Sequence, residues 1–181
     1  ANDRLIELGF WPGGDRDGNP FVTADVTRQV AEELRLAIIK CYHNDLKKLD
    51  AKLTFKGVTE DVAALRQDLY EALFRSEHPF DPSMFLRALG DIRNRIQRTF
   101  NGLYVEDVEL LMDKVRLFGA HFATMDIRQH HRIHEEAVRT VLRAQGRIQE
   151  SLEELAPEDL KRILLTESVD LSVLEPHTMD P

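Results

Sequence analysis

Trp11-Pro12-Gly13-Gly14-Asp15-Arg16-Asp17-Gly18-Asn19-Pro20 compresses three glycines, two prolines, two aspartates, an arginine and an asparagine into ten residues. Glycine permits left-handed backbone, proline fixes φ, and Asp and Asn bond to their own main chain, so such a run is a loop built to a set shape. Leu5-Ile6-Glu7-Leu8-Gly9-Phe10 before it reads as a short apolar strand, and the segment from Thr23 reads as a long helix. The run is therefore a strand-to-helix loop, where charged residues are stronger functional candidates than charges on a helix face. Asp15-Arg16-Asp17 sets one guanidinium between two carboxylates in sequence. Such a group is either held rigid or presents Arg16 to an anion, and both readings stay open. A calcium loop does not fit: Asp15, Asp17 and Asn19 match its first three ligand positions, but Pro20 replaces the glycine and Val26 the closing glutamate.

Outward from the loop, Thr23 is a candidate N-cap with Asp25 in the first turn. Val26, Val30, Leu34, Ile38, Cys41 and Leu49 then recur near helical spacing until about Leu53. This predicts one long helix with Cys41 as a buried thiol on its apolar stripe. After Lys56-Gly57 a second helix starts at Thr59, with Val62, Leu65, Leu69 and Leu73 on its stripe and Glu77-His78-Pro79 as its stop. Asp81 and Pro82 are a cap and first position for a third, whose stripe is Phe85, Leu89, Ile92 and Ile96 and whose stop is Asn101-Gly102. A fourth runs from about Val105 to Phe118, with Val108, Leu111 and Val115 inward and Gly119 as its stop.

The segment Ala120–Gln129 lacks a helical period and predicts a second strand, on which Asp126 and Arg128 share a face. A helix follows over His131–Ala144 with Ile133, Ala137, Val138 and Val141 apolar, and another from Pro157-Glu158-Asp159 with Leu160, Ile163 and Leu164. Ser168–Pro181 has weak periodicity and reads as cut from something longer. Two strands separated by so much helix cannot form a stable sheet alone. Either they pair inside a mostly helical body or they are staves of a barrel whose other strands lie elsewhere.

Composition narrows the partners. The chain has 181 residues, 43% apolar and 31% charged, with a net charge of -8. That balance suits a globular protein and argues against nucleic acid, which wants a basic surface. No run predicts a membrane span, no leader pattern is present, and the one cysteine favours a reducing, cytoplasmic setting. His130-His131-x-x-His134 places histidines on one helical face, but Val138 stands where a metalloprotease would have its second histidine, so they read as solvent-facing residues and no metal site is expected. Trp11, the lone tryptophan, reads first as core packing, and Asp126-x-Arg128 first as a plain ion pair.

Two stretches carry a resemblance. Trp11 through Thr23, continued by Ala24-Asp25-Val26-Thr27-Arg28, resembles the Trp-x-Gly-Gly-Asp-Arg-Asp-Gly-Asn-Pro-x-Val-Thr signature of phosphoenolpyruvate carboxylases. Leu117-Phe118-Gly119 followed by Met125-Asp126-Ile127-Arg128-Gln129 resembles that family's Phe-Gly…Asp-Ile-Arg-Gln segment, and His134 falls where the family has a histidine soon after. The resemblance implies a mainly α segment: a helical fragment carrying about two strands of an incomplete (β/α) TIM-like barrel. It divides into 1–23 (strand and signature loop), 24–118 (helical), 119–129 (strand) and 130–181 (helices and tail). It also implies formation of oxaloacetate and phosphate from phosphoenolpyruvate and bicarbonate, with Mg2+ or Mn2+ in a full-length enzyme that is a homo-oligomer. By position in the motifs, Arg128 and Arg16 would be catalytic, and Trp11, Asp15, Asp17, Asn19 and Asp126 would serve the substrate pocket.

Departures from the pattern define a divergent branch. Pro12 replaces a common methionine, and Thr124 stands where many members have arginine. The family's Thr-Ala-His-Pro histidine and Gly-Arg-Gly-Gly loop are absent from the 181 residues. The chain is therefore expected to be an internal segment that is inactive by itself and holds no metal. The alternative is a carboxylase-like helical protein that has lost catalysis and binds an anionic metabolite or a protein partner.

Overall fold

Helical spacing and chain-reversing residues lay down the order β1 (Gly9–Phe10), α1 (Ala24–Lys52), α2 (Val58–Phe74), α3 (Pro82–Thr99), α4 (Val105–Phe118), β2 (Thr124–Met125) and α5 (His131–Ala144). The computed structural model describes residues 8–75 and 79–146, with the single helical positions 158, 161 and 165 beyond them. Leu5–Glu7 of the expected first strand, Glu77-His78, most of the helix from Pro157 and the tail lie outside the described residues. The chain separates into two units: one has residues up to Pro12 with Asp25–Asp126, the other Gly13–Ala24 with the residues from Ile127 onward.

The first unit is built on α1–α4. Its core joins Ile38, Ile39, Tyr42, Leu46 and Leu49 of α1 to Val62, Leu65 and Leu69 of α2, Phe85, Leu89, Ile92 and Ile96 of α3, and Val108, Leu111 and Val115 of α4. The stripes expected for α3 and α4 are the buried ones. In α1 the expectation fails at Cys41, which is exposed. The buried line runs through Tyr42 instead, one residue on and so about 100° round the helix. Tyr42 earns that place with a polar tip that finds a partner. Its ring lies 5.7 Å from Phe80 and 6.2 Å from Phe85 between centroids, and its hydroxyl donates to the Gly119 carbonyl at 2.8 Å. Burial pushes the Tyr42 phenol pKa well up, so the hydroxyl stays a donor.

Caps fix where these helices begin. Asp81 accepts from the backbone N–H of Ser83 at 2.8 Å and of Met84 at 3.3 Å, with Pro82 at the first helical position. The Ser83 hydroxyl and these two N–H groups hold the Asp81 carboxyl below the usual range. At the start of α2, Gly57 has φ 81° and donates its N–H to the Glu60 carboxylate at 2.8 Å. The Gly57 carbonyl accepts from Arg95, and a Cβ at Gly57 would come within 2.9 Å of Arg95 Nη1. Arg95 also pairs with Asp61 at 3.0 Å, tying α3 to α2. Lys114 of α4 reaches Asp45 of α1 at 2.6 Å, and Lys52 reaches Asp107 at 2.8 Å. Burial works against the Asp45 carboxylate, but hydrogen bonds from Lys114 and Lys48 outweigh it and lower the Asp45 pKa.

The two strands pair with each other, in parallel, with Gly9 opposite Thr124 and Phe10 opposite Met125. Thr124 N–H donates to Leu8 O and Asp126 N–H to Phe10 O, both at 3.0 Å. The second strand is much shorter than the ten residues its composition suggested. Gly119 ends α4, and the chain then folds back on the helix: Phe122 has φ 69°, donates its N–H to Phe118 O at 3.0 Å and stacks on Phe118 at 5.4 Å. Extended backbone is reached only after that reversal. No helix among the described residues is long and apolar enough to cross a membrane.

Two measurements check this account. Gly57→Ala forces a Cβ into left-handed backbone and against Arg95, so denaturant unfolding should show a loss of about 1 kcal/mol. Asp45 binds its proton more weakly folded than unfolded, so its contribution is complete above the unfolded carboxylate pKa of about 4 and fades as pH falls through the lower folded value. Asp45→Asn should therefore flatten the fall in stability between about pH 5 and pH 2; an unaltered pH profile would remove Asp45 from that role.

Candidate functional site

In the second unit the signature loop meets the segment that follows β2. Asp15 pairs in parallel with Arg128. Arg128 N–H donates to Gly14 O and Arg16 N–H donates to Arg128 O, each at 2.9 Å. The main chain of Arg128 is thus fastened to the loop on both sides. Its guanidinium is fastened as well: Nη1 lies 3.7 Å from Asp15 Oδ2 and Nη2 lies 3.7 Å from Asp17 Oδ2.

This corrects one reading of the sequence. The guanidinium between the two carboxylates belongs to Arg128, not to Arg16. The spacing of Asp15 and Asp17 still matters, because Asp17 N–H donates to Asp15 Oδ1 at 3.2 Å and curls the loop so that both carboxylates face one way. At 3.7 Å, with the Arg128 side chain about half exposed, the pairs are loose. Partly exposed pairs of this kind contribute roughly 0–1 kcal/mol to stability, so they orient the arginine more than they hold the fold.

The remainder of the loop is held by its own turns. Gly18 has φ 77°, and Asn19 accepts from Phe21 N–H through its side chain at 3.1 Å and from Val22 N–H through its carbonyl at 3.2 Å. Asn19 therefore shapes the loop. Arg16 contributes its backbone to Arg128, while its Nε is buried without a hydrogen-bond partner. The histidines fall as expected at an exposed helix start: His130 caps α5 by accepting from Arg132 N–H at 3.3 Å, and its ring packs on His131 at 4.4 Å.

Trp11 and Asp126 belong to the first unit. Trp11 is not core packing: about half of it, 53%, is exposed. It follows directly on β1, a strand of two residues. Asp126 is exposed, and its Oδ2 lies where a Cβ on Gly9 would come within 3.1 Å. Gly9 is thus a residue that the sequence reading passed over. A glycine inside an apolar strand is a sign of close approach by another group, and that sign was available.

The residues assembled here can orient a guanidinium toward an oxyanion, since arginine donates in a planar fork and the two aspartates fix its plane. They do not fit a metal centre. Asp15 and Asp17 are engaged with Arg128, and no group of three His, Cys, Asp or Glu side chains among the described residues is placed to hold an ion.

Known proteins resemble the chain along most of its length. The family model for phosphoenolpyruvate carboxylase matches residues 1–103 and 75–180. A phosphoenolpyruvate carboxylase of Ralstonia nicotianae is 28% identical over 205 residues, covering 90% of this chain and 21% of its own. One of Mycobacterium avium is 28% identical over 78% of this chain and 19% of its own, and one of Xanthomonas campestris pv. campestris 30% over 78% and 20%. The Ralstonia match is longer than the 181-residue chain, so that relative has residues with no counterpart here. The chain spans about a fifth of the length of the curated relatives it matches. With the family model matched from end to end of the described site, this chain belongs to the phosphoenolpyruvate carboxylase family.

Proposed function

We propose that this chain is a segment of a phosphoenolpyruvate carboxylase that supplies part of the mouth of its active site. The observation that carries this reading is the pairing of Arg128 with Asp15 and Asp17, which joins the two stretches that bear the family motifs. In this reading β1 and β2 are neighbouring staves of a (β/α) barrel. Their parallel pairing supports it, since a parallel pair needs a long crossover and here the crossover is helical. Barrel active sites lie beyond the C-terminal ends of the strands, which is where Trp11, Asp15, Asp126 and Arg128 fall in the chain.

Within that mouth each residue has a task that follows from its chemistry. Arg128 binds the phosphate or the developing enolate of phosphoenolpyruvate, because a guanidinium stabilises spread negative charge and never loses its proton. Asp15 and Asp17 hold that guanidinium in one plane, a positioning role. Asn19 keeps the loop in register, and Trp11 and Asp126 are assigned to substrate and bicarbonate by their positions in the family motifs. Mg2+ or Mn2+ would be held by residues outside those described, and it supplies charge neutralisation at the reacting oxygens. The full-length protein in this reading is a cytoplasmic homo-oligomer, and the 181-residue chain alone is inactive.

Two outcomes test the reading. The 181-residue chain should form no oxaloacetate from phosphoenolpyruvate and bicarbonate with Mg2+ or Mn2+ present, followed by reduction to malate; turnover above the enzyme-free rate would refute the inactive-segment reading. In the intact protein that carries these residues, Arg128→Ala should lower kcat/KM for phosphoenolpyruvate by about a hundredfold or more. Asp17→Asn should lower it by less, chiefly through KM, because it loosens the arginine without removing it.

A further inference from the structure

We infer that Arg16 is the second oxyanion-binding arginine of this site, and that it binds through the Nε–Nη edge of its guanidinium while Arg128 is kept in place by the two aspartates. The inference takes the anion-binding reading above as its frame and adds a division of labour between the two arginines.

The charge pattern comes first. Asp15 and Asp17 face Arg128, so this trio carries one negative charge more than positive. An anion approaching the trio alone meets two carboxylates that compete for the same donors. Arg16 is next to both aspartates in sequence, yet its guanidinium makes no hydrogen bond or ion pair among the described residues. It is therefore the cation of the loop whose charge is not answered by the loop's own carboxylates.

The second observation is the state of its Nε. That atom is buried and has no acceptor. A buried donor on a charged group that lacks a partner is costly, and native structures seldom keep one without a reason. Arg16 is half-buried, so part of the side chain still reaches solvent. Its backbone, in contrast, is pinned by the 2.9 Å bond from Arg16 N–H to Arg128 O. A rigid main chain with an unsatisfied side chain favours rotation of the guanidinium toward any oxyanion that arrives. The Nε–H and one Nη–H are parallel and match two oxygens of a carboxylate, a bicarbonate or a phosphate. Binding in this mode satisfies the orphaned donor.

The test follows the arginine Nε–H signals of the 181-residue chain by NMR, titrating inorganic phosphate in one arm and bicarbonate in the other, at constant ionic strength set with chloride. The Arg16 Nε signal should move saturably in at least one arm, and the arm identifies which oxyanion the edge accepts. Arg16→Gln should weaken that binding at least tenfold, Arg16→Lys should not restore it because an ammonium has no parallel edge, and amide spectra of both variants should match the parent fold. An Arg16 signal that stays fixed in both arms, or that moves equally with chloride, overturns the assignment. If Arg128 alone responds, the reading of the family site stands and only the role given to Arg16 falls.

Discussion

Two main-chain hydrogen bonds, Thr124 N–H to Leu8 O and Asp126 N–H to Phe10 O, close a loop of chain that contains four helices. Closing a flexible loop of that length costs about 4 kcal/mol in chain entropy. Each hydrogen bond returns about 1 kcal/mol net, so the pair cannot close the loop unaided. The burial in the helical core between the two strands supplies the remaining free energy. Tyr42 shows how the core reaches the strand: buried in α1, it donates to the carbonyl of Gly119, the residue that ends α4 five positions before β2. Site chemistry on a two-residue strand is therefore only as firm as the helices behind it.

The second unit repeats the logic at smaller scale. Arg128 is bonded on both sides of its own peptide, to Gly14 and to Arg16, and its side chain faces carboxylates two residues apart. Main-chain bonds set where the residue is, and the loose ion pairs set where its charge points. The glycines beside the aspartates matter for the first of these tasks, with Gly13 at φ 81° and Gly18 at φ 77° shaping a loop that few other residues could follow.

Local rules made most of the helical framework legible. Asp81-Pro82 begins α3, Asn101-Gly102 follows its end, and the stripes of α3 and α4 were readable by spacing alone. The reading failed where neighbours far along the chain decide. Cys41 and Tyr42 both fit the stripe of α1, and hydrophobicity favoured the wrong one, because the partner of the Tyr42 hydroxyl, Gly119, lies far along the chain at the end of α4. The length of β2 depended on a left-handed Phe122, which composition does not announce. In the site, Asp15, Asp17 and Arg128 were all singled out, but which arginine stands between the aspartates is a matter of long-range pairing. Gly9 did carry a signal, a glycine inside an apolar strand, but only the fold shows that Asp126 is the group that lies over it.

The exposure of Trp11 has a consequence for spectroscopy. It is the only tryptophan in the chain, and it stands at the join between β1 and the signature loop with about half its surface, 53%, in water. An indole with that much of its surface in water is expected to change its emission little when the helical core melts. The same position makes it a sensor of the loop itself. Quenching and anisotropy of this one fluorophore follow the signature segment while the helices, which carry no tryptophan, stay optically silent.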